Sequence, residues 1–176
     1  MNGSLIILPE GFEEIEAITP IDLLRRANIT LTVAALGYPL QVTGRSRVEI
    51  LAEGPLDQYL NNQYDMVILP GGPGTENYFK STSLEKFLKT QKGYLAAICA
   101  APSVLYRYGL LKGKRYTCFP GVRDELKEAL EEPVVVDGKI ITSIGAGTAY
   151  AFALKLIELL EGKAKADEVA KETCYK

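Results

Sequence analysis

The tightest constraint on this chain is a rhythm. Short apolar runs, most closed by proline or glycine, alternate with stretches whose apolar residues return every three or four positions. An apolar run of about five residues fits a strand covered on both faces, and a helix-period stretch between two such runs is the crossover of a βαβ unit. Runs at 5–8, 31–36, 65–69 and 93–98 supply the strands of a mostly parallel sheet. Helix-period segments at 12–27, 83–91, 100–108 and 148–160, with a polar one at 163–172, supply its covering layers. In the first of these, Ile15, Ile18, Ile21 and Leu24 recur at helical spacing, and Pro20 predicts a kink whose freed amides Thr19 and Asp22 can serve. A hairpin of 40–43 and 48–51, a short helix at 55–62, a strand at 115–118 and a charged helix at 121–131 complete the pattern. Asp137-Gly138, between 134–136 and 139–143, is the clearest hairpin signal. The 176 residues carry no repeat, low-complexity stretch or linker, so residues 1–176 read as one α/β domain with helices on both faces of the sheet.

Composition narrows the chemistry. Twenty basic against 22 acidic residues give a net charge of −2 with no basic run, which predicts no nucleic-acid or membrane-surface partner. There is no histidine, so Ser-His-Asp and Cys-His triads, the H-E-x-x-H zinc site and any imidazole base are excluded. Cys99, Cys118 and Cys174 are widely spaced and form no C-x-x-C pair, so no metal site or dithiol redox motif is expected. The opening residues lack the three regions of a signal peptide, and the apolar run 94–106 is too short to span a bilayer. A soluble, cytoplasmic protein is the expectation.

Four segments carry candidate chemistry. Ala97-Ile98-Cys99-Ala100-Ala101-Pro102 ends a buried strand, presents a cysteine and starts a helix at once, as in a nucleophile elbow. Such a turn crowds its flanks, and Ala97 and Ala101 are small, while Pro102 fits a first helical turn. A helix N-terminus would lower the thiol's pKa. The competing reading is an inert core cysteine. Gly71-Gly72 follows another buried strand and can turn backbone amides into the crevice at the sheet edge, or can be a plain tight turn. Among Glu13, Glu14 and Glu16, the first two fit solvated positions at a helix start, and Glu16 is the candidate acid for a reactive thiol. Gly145-Ala146-Gly147-Thr148 opens the long helix; Tyr150 stands where a dinucleotide fingerprint needs its third glycine, so NAD binding is not expected and the segment reads as crevice lining.

These four segments, in this order, resemble the DJ-1/ThiJ/PfpI superfamily, in its branch of small parkinsonism-associated and bacterial ThiJ-like proteins. The matching stretches are 10–16, 67–72, 97–102 and 142–148, nearly end to end along the chain. The resemblance implies a flavodoxin-like three-layer sandwich, a homodimer, and no cofactor. It maps the family's reactive cysteine onto Cys99, its protonated acidic partner onto Glu16, and its oxyanion-type amides onto Gly71, Gly72 and Ala100. Gly145, Gly147 and Phe119 would line the site. Ala100 stands where the protease branch carries histidine, and Phe119 where some close relatives do, which argues against protease or amidotransferase activity. Glutathione-independent glyoxalase or deglycase chemistry on small reactive carbonyls such as methylglyoxal, or on glycated groups, is the implied activity. The rival expectation is an oxidative-stress sensor or redox-regulated chaperone in which Cys99 becomes a sulfinate held by Glu16.

Overall fold

The computed structural model describes residues 2–175. Strand β1 (Ser4–Leu8) is buried at all five positions, because it lies in the middle of the sheet. It pairs in parallel with β2 (Leu31–Ala35) on one side and β6 (Met66–Leu69) on the other. Beyond β6 come β7 (Tyr94–Ile98) and β9 (Ile140–Ser143), again parallel, and then β8 (Val134–Asp137), antiparallel to β9. The far edge is a two-residue strand, β5 (Gly54–Pro55), so the seven-stranded order is β5-β2-β1-β6-β7-β9-β8. The order reverses beside β1, leaving a crevice at the carboxyl ends of β1 and β6, where open α/β sheets bind ligands. This is a flavodoxin-like sandwich, as expected.

Alternating side chains of each strand feed two apolar layers. Ile6, Leu8, Ile68, Ile98 and Ile141 pack under α1 (Glu14–Arg26), α5 (Ala149–Glu161) and α6 (Lys163–Glu172). Leu5, Ile7, Val67, Leu69 and Ala97 pack on the opposite side, under α3 (Leu84–Thr90) and α4 (Pro102–Arg107). A four-residue helix, α2 (Thr75–Tyr78), sends the fully buried Tyr78 into that layer. The Tyr78 hydroxyl lies 2.8 Å from the Ile7 carbonyl and 3.0 Å from that of Pro70, so it links the ends of β1 and β6. The hairpin of β3 (Gln41–Thr43) and β4 (Glu49–Leu51) stands apart as a small second sheet.

Several expectations fail for physical reasons. Residues 115–118 form no strand, only a bridge between Thr117 and Leu130, and Thr117 is held by side-chain bonds to Thr142 Oγ1 and the Leu130 carbonyl. Residues 121–131 are turns rather than a helix, and only a 3-10 turn, Pro120–Val122, overlaps them. Their charges are spent outside any helical register, Arg123 on Glu131 and Glu125 on Arg107. The segment 55–62 holds just a 3-10 turn, Leu56–Gln58. Pro20 lies inside an unbroken α1, and Asp22 accepts a bond from Arg26 rather than serving freed amides. The isoleucine stripe of α1 also faces partly outward: Ile15 is 52% and Ile18 41% exposed, while Ala17, Pro20, Leu23 and Leu24 are buried.

Candidate active site

Cys99 follows β7 directly and has φ +65°, a left-handed conformation that costs a side-chain-bearing residue roughly 1–3 kcal/mol. The surroundings impose it. The Cys99 amide donates to the Ser143 carbonyl at 2.9 Å, and the Cys99 carbonyl accepts from the Phe119 amide at 2.8 Å. Ala97 and Ala101, at the crowded flanks, are fully buried, and Pro102 occupies the first position of α4. The chain therefore lifts the thiol out of the sheet toward the crevice between β1 and β6.

Glu16 reaches the same point from α1. It is 1% exposed, and its Oε2 accepts the Gly71 amide at 2.9 Å, while Oε1 is buried without a hydrogen-bond partner. The approach requires glycine at 71. A Cβ there would lie 2.8 Å from the Cys99 Cβ and 2.9 Å from Glu16 Oε2. Gly72 has φ +92°, and a Cβ on it would meet the Glu13 amide nitrogen at 2.6 Å. The expected oxyanion role divides accordingly. The Gly71 amide is engaged by Glu16, whereas the amides of Gly72 and Ala100 face the Cys99 sulfur.

Burial sets the electrostatics. Desolvation raises the Glu16 carboxyl from 4.5 to about 7, against the lowering effect of the Cys99 thiol and the Gly71 amide. Burial, then the charge of Glu16, pushes the Cys99 thiol up to about 12, and the Gly72 and Ala100 amides pull back only part of that. The expected depression by a helix N-terminus does not occur. Helix α4 has six residues and begins three positions after Cys99, too short and too distant to outweigh desolvation. The thiol and carboxyl titrate as a pair, and a proton leaving sulfur has Glu16 as its neighbouring acceptor.

A cavity of about 380 Å³ opens over the pair. Phe119 and Ala146 line it, but Gly147, expected to do so, is exposed in open space two residues past Gly145. Gly145 itself is buried, its Cβ position 3.8 Å from Glu16 Oε1 and 3.9 Å from Cys99 Sγ. Sequence reasoning missed the charged mouth. Arg45 pairs with Glu13 at 3.2 Å, and Arg107 grips Glu125 at 2.7 and 2.9 Å while stacking over Phe79. Neither Glu13 nor Glu14 is solvated as expected. Glu13 lines the cavity, and Glu14 is buried where it accepts the amides of Ser46 and Val48. No sequence spacing links these pairs, which meet across more than 15 intervening residues. Among the described residues, no group of three or more Cys, Asp or Glu side chains is placed to hold a metal ion, and no helix is long and apolar enough to cross a membrane.

The carboxyl has a stability signature. Below pH 4.5 Glu16 is neutral in both folded and unfolded chains; between 4.5 and about 7 only the unfolded chain releases the proton, so the carboxyl's contribution to stability falls as pH rises through that window. Glu16→Gln removes the penalty. Its stability relative to wild type should climb by on the order of 3 kcal/mol between pH 4.5 and pH 8 in urea unfolding. A difference that stays constant with pH would refute the assignment.

Comparison with known proteins gives the family. A model of the DJ-1/PfpI family matches residues 4–159. The chain is 44% identical to Protein dj-1beta of Drosophila melanogaster over 97% of its own length and 95% of that protein's. The crystal structure of that Drosophila protein superposes with a TM-score of 0.95, covering 100% of both chains at 42% identity. A structure of Toxoplasma gondii DJ-1, oxidized, superposes with a TM-score of 0.93 at 37% identity, covering 98% of this chain and 97% of that one. A Caenorhabditis elegans relative, named glutathione-independent glyoxalase DJR-1.2, is 37% identical over 98% of this chain and 96% of its own. With the fold, the elbow and these likenesses in agreement, the chain belongs to the DJ-1/PfpI family.

Proposed function

We propose that this chain converts small reactive dicarbonyls such as methylglyoxal into 2-hydroxy acids without glutathione, with Cys99 as nucleophile and Glu16 as proton carrier. The observation that carries the reading is the buried pair itself. A thiol in a left-handed elbow sits beside a carboxyl raised to about 7, in a chain with no histidine to share the work. The glyoxalase name of the nematode relative supports it.

The steps balance. Glu16 carboxylate takes the thiol proton as Cys99 sulfur adds to the aldehyde carbon, and the carbonyl electron pair moves onto oxygen beside the Gly72 and Ala100 amides. That oxygen gains the proton back, giving a hemithioacetal. Glu16 then removes the hydrogen on the former aldehyde carbon and returns it to the neighbouring carbon by way of an enediol, while the hydroxyl proton passes from the first oxygen to the second, producing a thioester of the 2-hydroxy acid. Water cleaves the thioester, restoring the thiol and releasing lactate from methylglyoxal. A carboxyl near 7 suits both directions of transfer. Cys99→Ser and Glu16→Gln should each lower glutathione-free lactate formation at least ~100-fold, the span of a general-base contribution. Full activity in Cys99→Ser would overturn the mechanism, and loss confined to Cys99 would make Glu16 structural.

A second reading uses the same atoms. Cys99, oxidised by two equivalents of peroxide to a sulfinate, would take a hydrogen bond from neutral Glu16, and the oxidized form of the Toxoplasma relative favours it. Mild peroxide followed by peptide mass spectrometry should then add two oxygens at Cys99 before Cys174, although Cys174 is the exposed thiol. Preferential oxidation of Cys174 would count against it.

We also propose a homodimer built on the outward face of α1. Ile15, Ile18, Val48 and Leu51 are exposed at 52, 41, 46 and 76%, and the bonds from Ser46 and Val48 to Glu14 seat the hairpin on the start of that helix. Two copies burying such a patch would remove it from water. Ile18→Glu should convert a dimer to a monomer in sedimentation equilibrium, and a monomeric wild type at tens of micromolar would refute the interface.

A further inference from the structure

Gly145 follows β9 and enters the loop before α5, and its backbone is fixed. Its amide donates to Thr148 Oγ1 at 3.1 Å, and its carbonyl accepts the Thr148 amide at 2.8 Å. Its φ of 165° is ordinary extended backbone, so conformation alone does not call for glycine. What the missing side chain leaves is space. A Cβ at 145 would lie 3.6 Å from Phe119 Cδ2, 3.8 Å from Glu16 Oε1 and 3.9 Å from Cys99 Sγ. All three are ordinary van der Waals distances, so the vacancy is about one methyl group in size. Its walls are the nucleophile, the unpartnered oxygen of the acid and an aromatic ring, and Phe119, Glu16 and Cys99 also line the main cavity.

We propose that this vacancy is a methyl-sized subsite, set by Gly145, that receives the substituent on the carbon next to the one Cys99 attacks. The proposal rests on the dicarbonyl reading above and sharpens it from reactive carbonyls in general to small methyl ketoaldehydes. Carbon placed there touches sulfur and Oε1 together. Anchoring the methyl there holds the carbon that bears it beside the sulfur-bearing carbon and near the carboxyl that must return hydrogen to it. Glyoxal, with hydrogen in place of methyl, leaves the slot empty and gains nothing from it.

Gly145→Ala tests the subsite because the new methyl fills it without clashing in the free protein. The melting temperature should hold or rise slightly, since alanine restricts the unfolded chain. The ratio of kcat/KM for methylglyoxal to that for glyoxal should fall about tenfold or more, the discrimination one carbon carries in a snug pocket. An unchanged ratio overturns the subsite, whether or not both rates decline. If the wild type consumes neither dicarbonyl, the proposed activity fails on its own. The slot is then judged by alkylation of Cys99 with chloroacetaldehyde and its methyl ketone counterpart, chloroacetone, whose methyl lies on the carbon next to the one attacked, with exposed Cys174 as internal reference. Gly145→Ala should slow the methyl-bearing reagent at Cys99 several-fold more than the plain one, and equal slowing of both would refute the proposal.

Discussion

The hydrogen bond from the Gly71 amide to Glu16 Oε2 holds the site together. It joins the first turn of α1 to the turn after β6 at the point where the strand order reverses, and it does so in a fully buried setting. A carboxyl in that position has one oxygen fixed by the backbone, while the other lies buried beside Gly145, where the Cys99 sulfur also comes close. The glycine is therefore as much a part of the acid as the glutamate is. Any side chain at 71 would press on Cys99 and Glu16 together.

The elbow depends on the same convergence. Cys99 keeps its left-handed backbone because its amide and carbonyl are claimed by two segments distant in sequence, at Ser143 and Phe119. The first is the last rung of the β7–β9 ladder, and the second comes from the segment that follows α4. Three loops, after β6, after β7 and after β9, thus close around one sulfur atom, and strain of roughly 1–3 kcal/mol at Cys99 is offset by bonds those loops make anyway. The two sheet faces are fully covered, so the loops rest on a rigid base.

The parallel strands were legible because each is an apolar run that must be covered on both sides, as at 5–8 and 65–69. The elbow was legible because only small residues fit beside Cys99. Residues 121–131 misled because abundant charge resembles a solvated helix, yet a helix needs an apolar stripe, and only Leu126 there is fully buried. The face of α1 misled in the opposite sense. Its isoleucines have the right period for a core, but periodicity does not tell which apolar surface covers a stripe, and Ala17, Leu23 and Leu24 were enough to pack the sheet. The charged mouth was invisible because Arg45 with Glu13 and Arg107 with Glu125 are tertiary pairs. The pKa of the thiol was misjudged because a local helix terminus is readable from sequence, whereas desolvation depends on how deeply the fold encloses the atom.

A chain without histidine can still hold a side chain that titrates near neutrality, and here desolvation rather than a charged neighbour is the dominant cause. That choice ties chemistry to cover. A charge partner would hold its effect through modest opening of the site, but a desolvated carboxyl returns toward its ordinary value as soon as water reaches it. Phe119 belongs to this cover, since its ring lines the cavity and its amide grips the Cys99 carbonyl. The segment that carries it has little regular structure of its own and is tied down by Arg107–Glu125 and Arg123–Glu131. Those two pairs anchor the segment that carries Phe119 to the cavity. The turns that replaced the expected helix are in this way part of the carboxyl's cover.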